Sequence, residues 1–169
     1  MTEINFNAIK LTQALVKCRS ITPEDDGALL VVQDHLSSLG FNCTPLSFSG
    51  NGSYEVKNLF ATIGSEGPHL AFAGHTDVVP PGNESSWKHP PFGAIIENDK
   101  LFGRGTEDMK SNIACFISAT EQFNNLSNSS SIGICHTNSL VVFEASRIFF
   151  FVLDISKLVL NKKFLVNLS

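Results

Sequence analysis

A layered α/β domain is the fold class the sequence predicts, on three observations. Helix-like and strand-like periods alternate along residues 1–124. The strand-like runs are short and bounded by clusters of Gly, Asn, Ser and Pro. One of them, Leu70-Ala71-Phe72-Ala73-Gly74, runs straight into the polar group His75-Thr76-Asp77. Open α/β sheets place their ligand-binding residues at such a carboxyl end.

The elements follow in order. Ala8, Ile9, Leu15 and Val16 form one apolar face of a first helix. A second helix has a start and a stop: Thr22 as N-cap, Pro23 in the first turn, Glu24–Asp26 near the positive dipole end, and Gly40 past the last turn. Strands are expected over 41–48, 54–63 and 69–75. A hairpin folding at Asn98-Asp99 pairs residues 94–97 with 100–102. A last helix carries Ile113, Phe116, Ile117 and Phe123 on one stripe.

Composition narrows the function. A chain of 169 residues with 43% hydrophobic content can bury one ordinary core. A net charge of −4 argues against a general nucleic-acid binder, which would carry a basic surface. Cys18, Cys43, Cys115 and Cys135 form no C-x-x-C, and no secretory signal opens the chain. Reduced thiols in a soluble, cytoplasmic protein are the expectation.

The character changes near residue 124. A polar run, residues 124–131, precedes a Phe-rich segment. Residues 1–130 hold 8 Lys+Arg against 14 Asp+Glu, whereas 131–169 hold 4 against 2. Segment 140–160 is apolar, yet Glu144, Arg147, Asp154 and Lys157 interrupt it, so no membrane span is expected there, and an interfacial helix is the lesser alternative. Two regions result: 1–124 as the body and 125–169 as a divergent tail.

Two motifs carry the chemistry. His75-x-Asp77 on a strand would project both side chains to one face, because the strand period is two. A neutral imidazole is a good zinc ligand, and a nearby carboxylate can fix its tautomer. Asp108, in the Gly-rich stretch Gly103-Arg104-Gly105-Thr106-Glu107-Asp108-Met109-Lys110, could bridge two divalent ions. Plainer readings stand beside these: a structural histidine, an N-cap aspartate, and Arg104 in a surface ion pair. Trp87 and Pro90-Pro91-Phe92 read as a packed loop.

Taken jointly, Gly74-His75-Thr76-Asp77-Val78-Val79-Pro80-Pro81-Gly82, then Trp87 with Pro90-Pro91-Phe92, then Leu101 through Lys110, resemble the amino-terminal half of the M20 zinc peptidase and deacylase family. Arg19-Ser20-Ile21-Thr22-Pro23 is similar to the family as well, and the likeness covers residues 1–124. Gly-Arg-Gly and the double proline lean toward its desuccinylase branch; acetylornithine deacetylase-like members are the alternative.

The resemblance implies a zinc-peptidase-like catalytic domain with His75 as a metal ligand, Asp108 as the bridging carboxylate and Asp77 as the catalytic, orienting carboxylate. It implies two divalent ions, zinc first, with cobalt or manganese as substitutes. The expected reaction is hydrolysis of an N-succinyl amide, the partner a small N-acyl amino acid, and the assembly a homodimer. The pathway role would be lysine and peptidoglycan precursor supply.

The pattern then breaks. In the family the next core strand ends in a Glu-Glu pair, whereas here the matching region begins Ser131-Ile132-Gly133 and continues Ile134-Cys135-His136-Thr137-Asn138-Ser139. No general base is identified, and Glu144 is the sole glutamate of the tail. The expectation is a truncated domain without the dimerisation or lid domain, its tail read from a shifted frame. A non-catalytic metal-binding remnant is the competing expectation.

Overall fold

A computed structural model describes residues 7–50, 52, 54–64, 70–129, 140–145 and 148–151. Helices α1 (Asn7–Lys17), α2 (Ala28–Ser38) and α3 (Ser111–Ser129) accompany a five-stranded sheet and a separate two-stranded hairpin. The sheet comprises β1 (Asn42–Phe48), β2 (Val56–Ile63), β3 (Leu70–Phe72), β6 (Leu140–Ala145) and β7 (Ile148–Phe151). β4 (Ile95–Glu97) and β5 (Lys100–Phe102) form the hairpin.

Spatial order along the sheet is β1-β2-β6-β3, with β7 folded back on β6. β1 and β2 are antiparallel, with Asn42 opposite Thr62 and Phe48 opposite Val56. Pro45 lies in β1, an edge of that order among the described residues, where a strand proline is tolerated. β6 runs antiparallel to β2 and parallel to β3, setting Phe72 opposite Val142.

Three helices and one strand enclose the core. Leu11 and Leu15 of α1, Leu29, Val32 and Leu36 of α2, Leu59 and Ala61 of β2, and Ile113, Ala114 and Ile117 of α3 pack into one cluster with Phe41. The face of α1 is rotated from the sequence expectation: Leu11 and Thr12 are buried with Ala8, Leu15 and Val16, while Ile9 is 52% exposed. Positions 8, 11, 12, 15 and 16 follow a helical stripe, and Ile9 falls outside it.

The stop of α2 is local chemistry. Gly40, at φ 89°, donates to the Ser37 carbonyl, and Phe41 N–H donates to Leu36, the paired bonds of a Schellman motif. Its start differs from the expected Thr22 cap. The helix begins at Ala28, and the Asp25 carboxylate accepts from the N–H groups of Gly27 and Leu29. Thr22 is engaged elsewhere: its N–H donates to Val78, whose own N–H donates to Ser20, making a parallel bridge between Ile21 and Val78. A long-range pairing has taken the residues that local pattern assigns to the cap.

The other elements fall near their expected ranges, with β3 shorter, ending at Phe72. α3 continues to Ser129, through most of the polar run, and β6 from the following segment lies inside the sheet. Ser131-Ile132-Gly133, Cys135 and His136 lie outside the described residues. Cys18, Cys43 and Cys115 are free thiols. Among the described residues no helix is long and apolar enough to cross a membrane.

Candidate metal centre

Beyond Phe72 the chain leaves β3 and runs as an irregular extended segment through His75 and Asp77 to Val78. The His75 ring turns back on that segment: Nδ1 lies 3.0 Å from the Asp77 carbonyl oxygen and 3.6 Å from Asp77 Oδ1. A carbonyl can only accept, so Nδ1 carries the proton, which leaves Nε2 as the nitrogen able to bind a metal when the ring is neutral. Nε2 is 3.2 Å from Oδ1 of Asp108. His75, Asp77 and Asp108 therefore meet at one place. Asp77 joins through the irregular segment after the strand rather than through strand alternation.

Each carboxylate sits differently. The Asp77 side chain is 17% exposed and its Oδ2 accepts a hydrogen bond from the Thr22 hydroxyl. The Asp108 side chain is 87% exposed, leaving its oxygens open to a ligand. Asp108 belongs to the irregular turn Thr106–Lys110, where its φ of −120° and ψ of 96° are extended, and α3 begins only at Ser111. Asp108 is thus held toward His75 and not in a helix-capping position.

Two further contacts fix that turn. The Lys110 side chain is fully buried, and its Nζ donates to the carbonyls of Leu15 (2.9 Å) and Cys18 (2.8 Å) at the end of α1. A cation on the orphan carbonyls of a helix carboxyl terminus suits both hydrogen bonding and the dipole. Burial pushes the Lys110 ammonium down to about 8, opposed by the charges of Cys18, Asp26, Asp25 and Asp77. On the amino side, Gly105 packs so tightly that an added Cβ would lie 2.4 Å from Val78 Cγ1.

Electrostatics favour a positive group at His75. The Asp77 carboxylate, with smaller contributions from the Asp77 carbonyl and Asp108, raises the imidazole to about 9 against the opposing effect of burial. A divalent cation would meet the same two carboxylates. The donor types, one imidazole nitrogen and one open carboxylate, suit zinc-like ions. Yet among the described residues no group of three or more His, Cys, Asp or Glu is placed to hold a metal. A catalytic zinc takes about three protein ligands. The donors among the described residues fit part of such a centre.

The three side chains open onto a cavity of about 520 Å³, which Thr22, Arg104 and Glu107 also line. The packed loop supports Arg104 without lining the cavity. Arg104 N–H donates to Pro91 O at 2.6 Å, Trp87 Nε1 donates to Pro81 O at 2.9 Å, and the Arg104 guanidinium stacks 5.1 Å from the Trp87 ring centre. Arg104 makes no ion pair among the described residues, so the plainer reading of a surface ion pair does not hold there. Arg19 pairs with Glu84 at 2.8 Å, an exposed contact of little energetic weight.

Sequence reasoning missed Thr22, Lys110 and Arg104 as members of this neighbourhood. Lys110 and Arg104 had a signal in the motif that contains them, since both flank Asp108 within six residues. Thr22 lies in the family-like stretch Arg19–Pro23, but nothing local tied it to Asp77, 55 positions away. Glu144 lies on β6, whose parallel register with β3 brings its carboxyl end to the same sheet edge as the segment leading to His75.

Comparisons agree with this architecture. Residues 71–137 match the family described as Peptidase family M20/M25/M40. The fold is similar to that of human carnosine dipeptidase 1, with TM-score 0.60 and 23% identity, covering 75% of this chain and 32% of that one. It is also similar to the M20 family metallo-carboxypeptidase Sso-CP2 from Sulfolobus solfataricus, with TM-score 0.57 and 22% identity, covering 75% and 28%. The fold is the mixed α/β fold of these catalytic domains, and the chain spans about a third of the length of the structures it matches.

Proposed function

We propose that this chain carries the amino-terminal part of an M20-type metallohydrolase centre, with His75 as a metal ligand, Asp108 as a bridging carboxylate and Asp77 as the group that orients His75. The convergence of His75 Nε2 and Asp108 Oδ1 at 3.2 Å, on a cavity wall within the segment matched by the family, carries this reading. Two divalent ions, zinc first and cobalt or manganese as substitutes, would polarise an amide carbonyl and lower the pKa of a water. The chain's own residues do the rest. The Asp77 carbonyl and carboxylate hold the imidazole tautomer, and Thr22 holds the Asp77 carboxylate in turn. The Lys110 anchor keeps Asp108 at the mouth of the cavity.

The substrate class is a small N-acyl amino acid. Gly-Arg-Gly before the acidic motif and the double proline Pro80-Pro81 favour succinyl-diaminopimelate desuccinylase, which releases succinate and diaminopimelate in lysine biosynthesis. Residues 1–124 would be the catalytic-domain part and 125–169 a divergent segment. One observation favours a second reading, a non-catalytic metal-binding module: the described residues offer fewer donors than one complete catalytic zinc needs.

Zinc titration combined with a desuccinylation assay separates the two. Turnover that disappears in His75→Ala supports the hydrolase. Stoichiometric zinc binding without turnover supports the module, and no zinc binding at all removes both.

A further inference from the structure

We propose that Arg104 is the anion-recognition residue of the cavity and takes a carboxylate carried by the ligand. The proposal deepens the amide-hydrolase reading and rests on it for the identity of the scissile group; the anion site itself does not.

Four observations carry it. Arg104 lines the same cavity as His75, Asp77 and Asp108, and it is the one Lys or Arg among the described lining residues. Its Nε is buried and meets no hydrogen-bond acceptor among the described residues. Glu107 lines the cavity too, but no ion pair joins it to Arg104 within 4 Å. A buried donor left unsatisfied is costly, so a donor retained in this state beside a cavity calls for an acceptor from outside the chain.

The third observation is rigidity. Arg104 stands between Gly103 and Gly105, where an added Cβ would lie 2.3 Å from Val16 and 2.4 Å from Val78. Its N–H is bonded to Pro91 O, and its guanidinium rests on Trp87, which is itself tied to Pro81. These contacts restrain the side chain, so less of its entropy remains to be lost on binding. The fourth is charge. Asp77, Glu107 and Asp108 would repel an anionic ligand, and a fixed guanidinium supplies the opposing attraction in a cavity roomy enough for a small carboxylate-bearing ligand.

The chemistry is shared by two sources, a carboxylate on the acyl group and one on the amino acid. Calorimetry and NMR titration of the metal-free full chain with succinate, and with butyramide as its uncharged counterpart, test the site. Succinate binding should weaken about ten- to a hundredfold in Arg104→Met. Butyramide should bind no tighter to the parent than to the variant. Equal succinate affinity in the parent and Arg104→Met, or no succinate binding to the parent, overturns the proposal. So does a loss seen in His75→Ala but not in Arg104→Met, which would assign the anion to the imidazolium.

Where Arg104→Met fails to melt cooperatively, Arg104→Lys takes its place. It keeps the charge and loses the two-pronged geometry, and an affinity equal to the parent's overturns the assignment. In the zinc-loaded chain, N-succinylaniline and N-butyrylalanine put the carboxylate on opposite sides of the amide. The substrate whose kcat/KM falls in Arg104→Met identifies the source, and a fall in neither overturns the proposal. Succinate binding without turnover of either substrate removes the hydrolase reading and leaves the anion site standing.

Discussion

Nε2 of His75 lies 3.2 Å from Oδ1 of Asp108 across 33 positions of sequence, and the two side chains are 28% and 87% exposed. In the proposed centre, the imidazole held from behind by Asp77 and the open carboxylate in front would form two sides of a cation site. His75→Ala and Asp108→Asn should each weaken cobalt or zinc binding by at least about a hundredfold, beyond the ten- to hundredfold typical of an outer-shell change. Asp77→Asn should fall within that smaller range. Cobalt(II) absorption read alongside the melting curve checks this; a His75→Ala variant with the parent's spectrum would place the ion elsewhere.

Protons compete with the metal at the same nitrogen. With His75 raised to about 9 by Asp77 and Asp108, the metal-free site is largely protonated at pH 7. Metal uptake should therefore release a proton, and affinity should fall about tenfold for each pH unit below 9, where an ordinary imidazole would begin to lose affinity only below 6.5. For the metal-free fold, the stability from His75 is fully present below 6.5 and is lost as pH rises through 9. Metal competition at several pH values and the NMR titration of His75 Cε1 measure both effects. A midpoint near 6.5 would sink the claim.

The legible parts of this structure were those decided within a few residues. Asn98 and Asp99, both at positive φ (50° and 60°), make a tight hairpin turn that their residue types announce. Gly40 closes α2 through bonds reaching back only to Leu36. By contrast, Thr22 carries a good N-cap signature, but pairing with Val78 and Asp77 outweighs it. Nothing local shows that β6 passes between β2 and β3, because chain order and sheet order are independent. In the site, the motifs named His75, Asp77 and Asp108. The burial of Lys110 and the stacking of Arg104 depend on the end of α1 and on Trp87, which only folding brings near.

Lys110 tests how that anchoring is shared between stability and site geometry. Lys110→Met removes the donor from two carbonyls at the end of α1 and should cost about 2–3 kcal/mol, read by denaturant unfolding. Its pH behaviour opposes that of His75. The folded chain releases the Lys110 proton near 8 and the unfolded chain near 10.5, so its contribution to stability grows as pH rises across that interval and is lost as pH falls through 8. In Lys110→Met this rise should vanish. Cobalt affinity should fall as well, because the turn bearing Asp108 loses its tie to α1. A loss of stability with unchanged metal affinity would separate the two roles.

Gly105 and Gly82 offer a controlled comparison of backbone strain with steric contact. Both adopt positive φ, 79° and 71°. A side chain at either position incurs the left-handed penalty of about 1–2 kcal/mol. They differ in surroundings: a Cβ at Gly82 meets nothing within 4 Å, whereas one at Gly105 would lie 2.4 Å from Val78 Cγ1. Val78 is β-branched, buried and held by its bridge to Ile21, so it has little freedom to withdraw. Gly82→Ala should therefore show only the conformational penalty and retain metal binding. Gly105→Ala should cost about 1–3 kcal/mol more for overpacking. Because Val78 follows Asp77 directly, and Gly105 opens the turn that holds Asp108, the displacement should also part Asp108 from His75. Equal melting temperatures and equal cobalt affinities for the two variants would show that the contact with Val78 does not hold the site together.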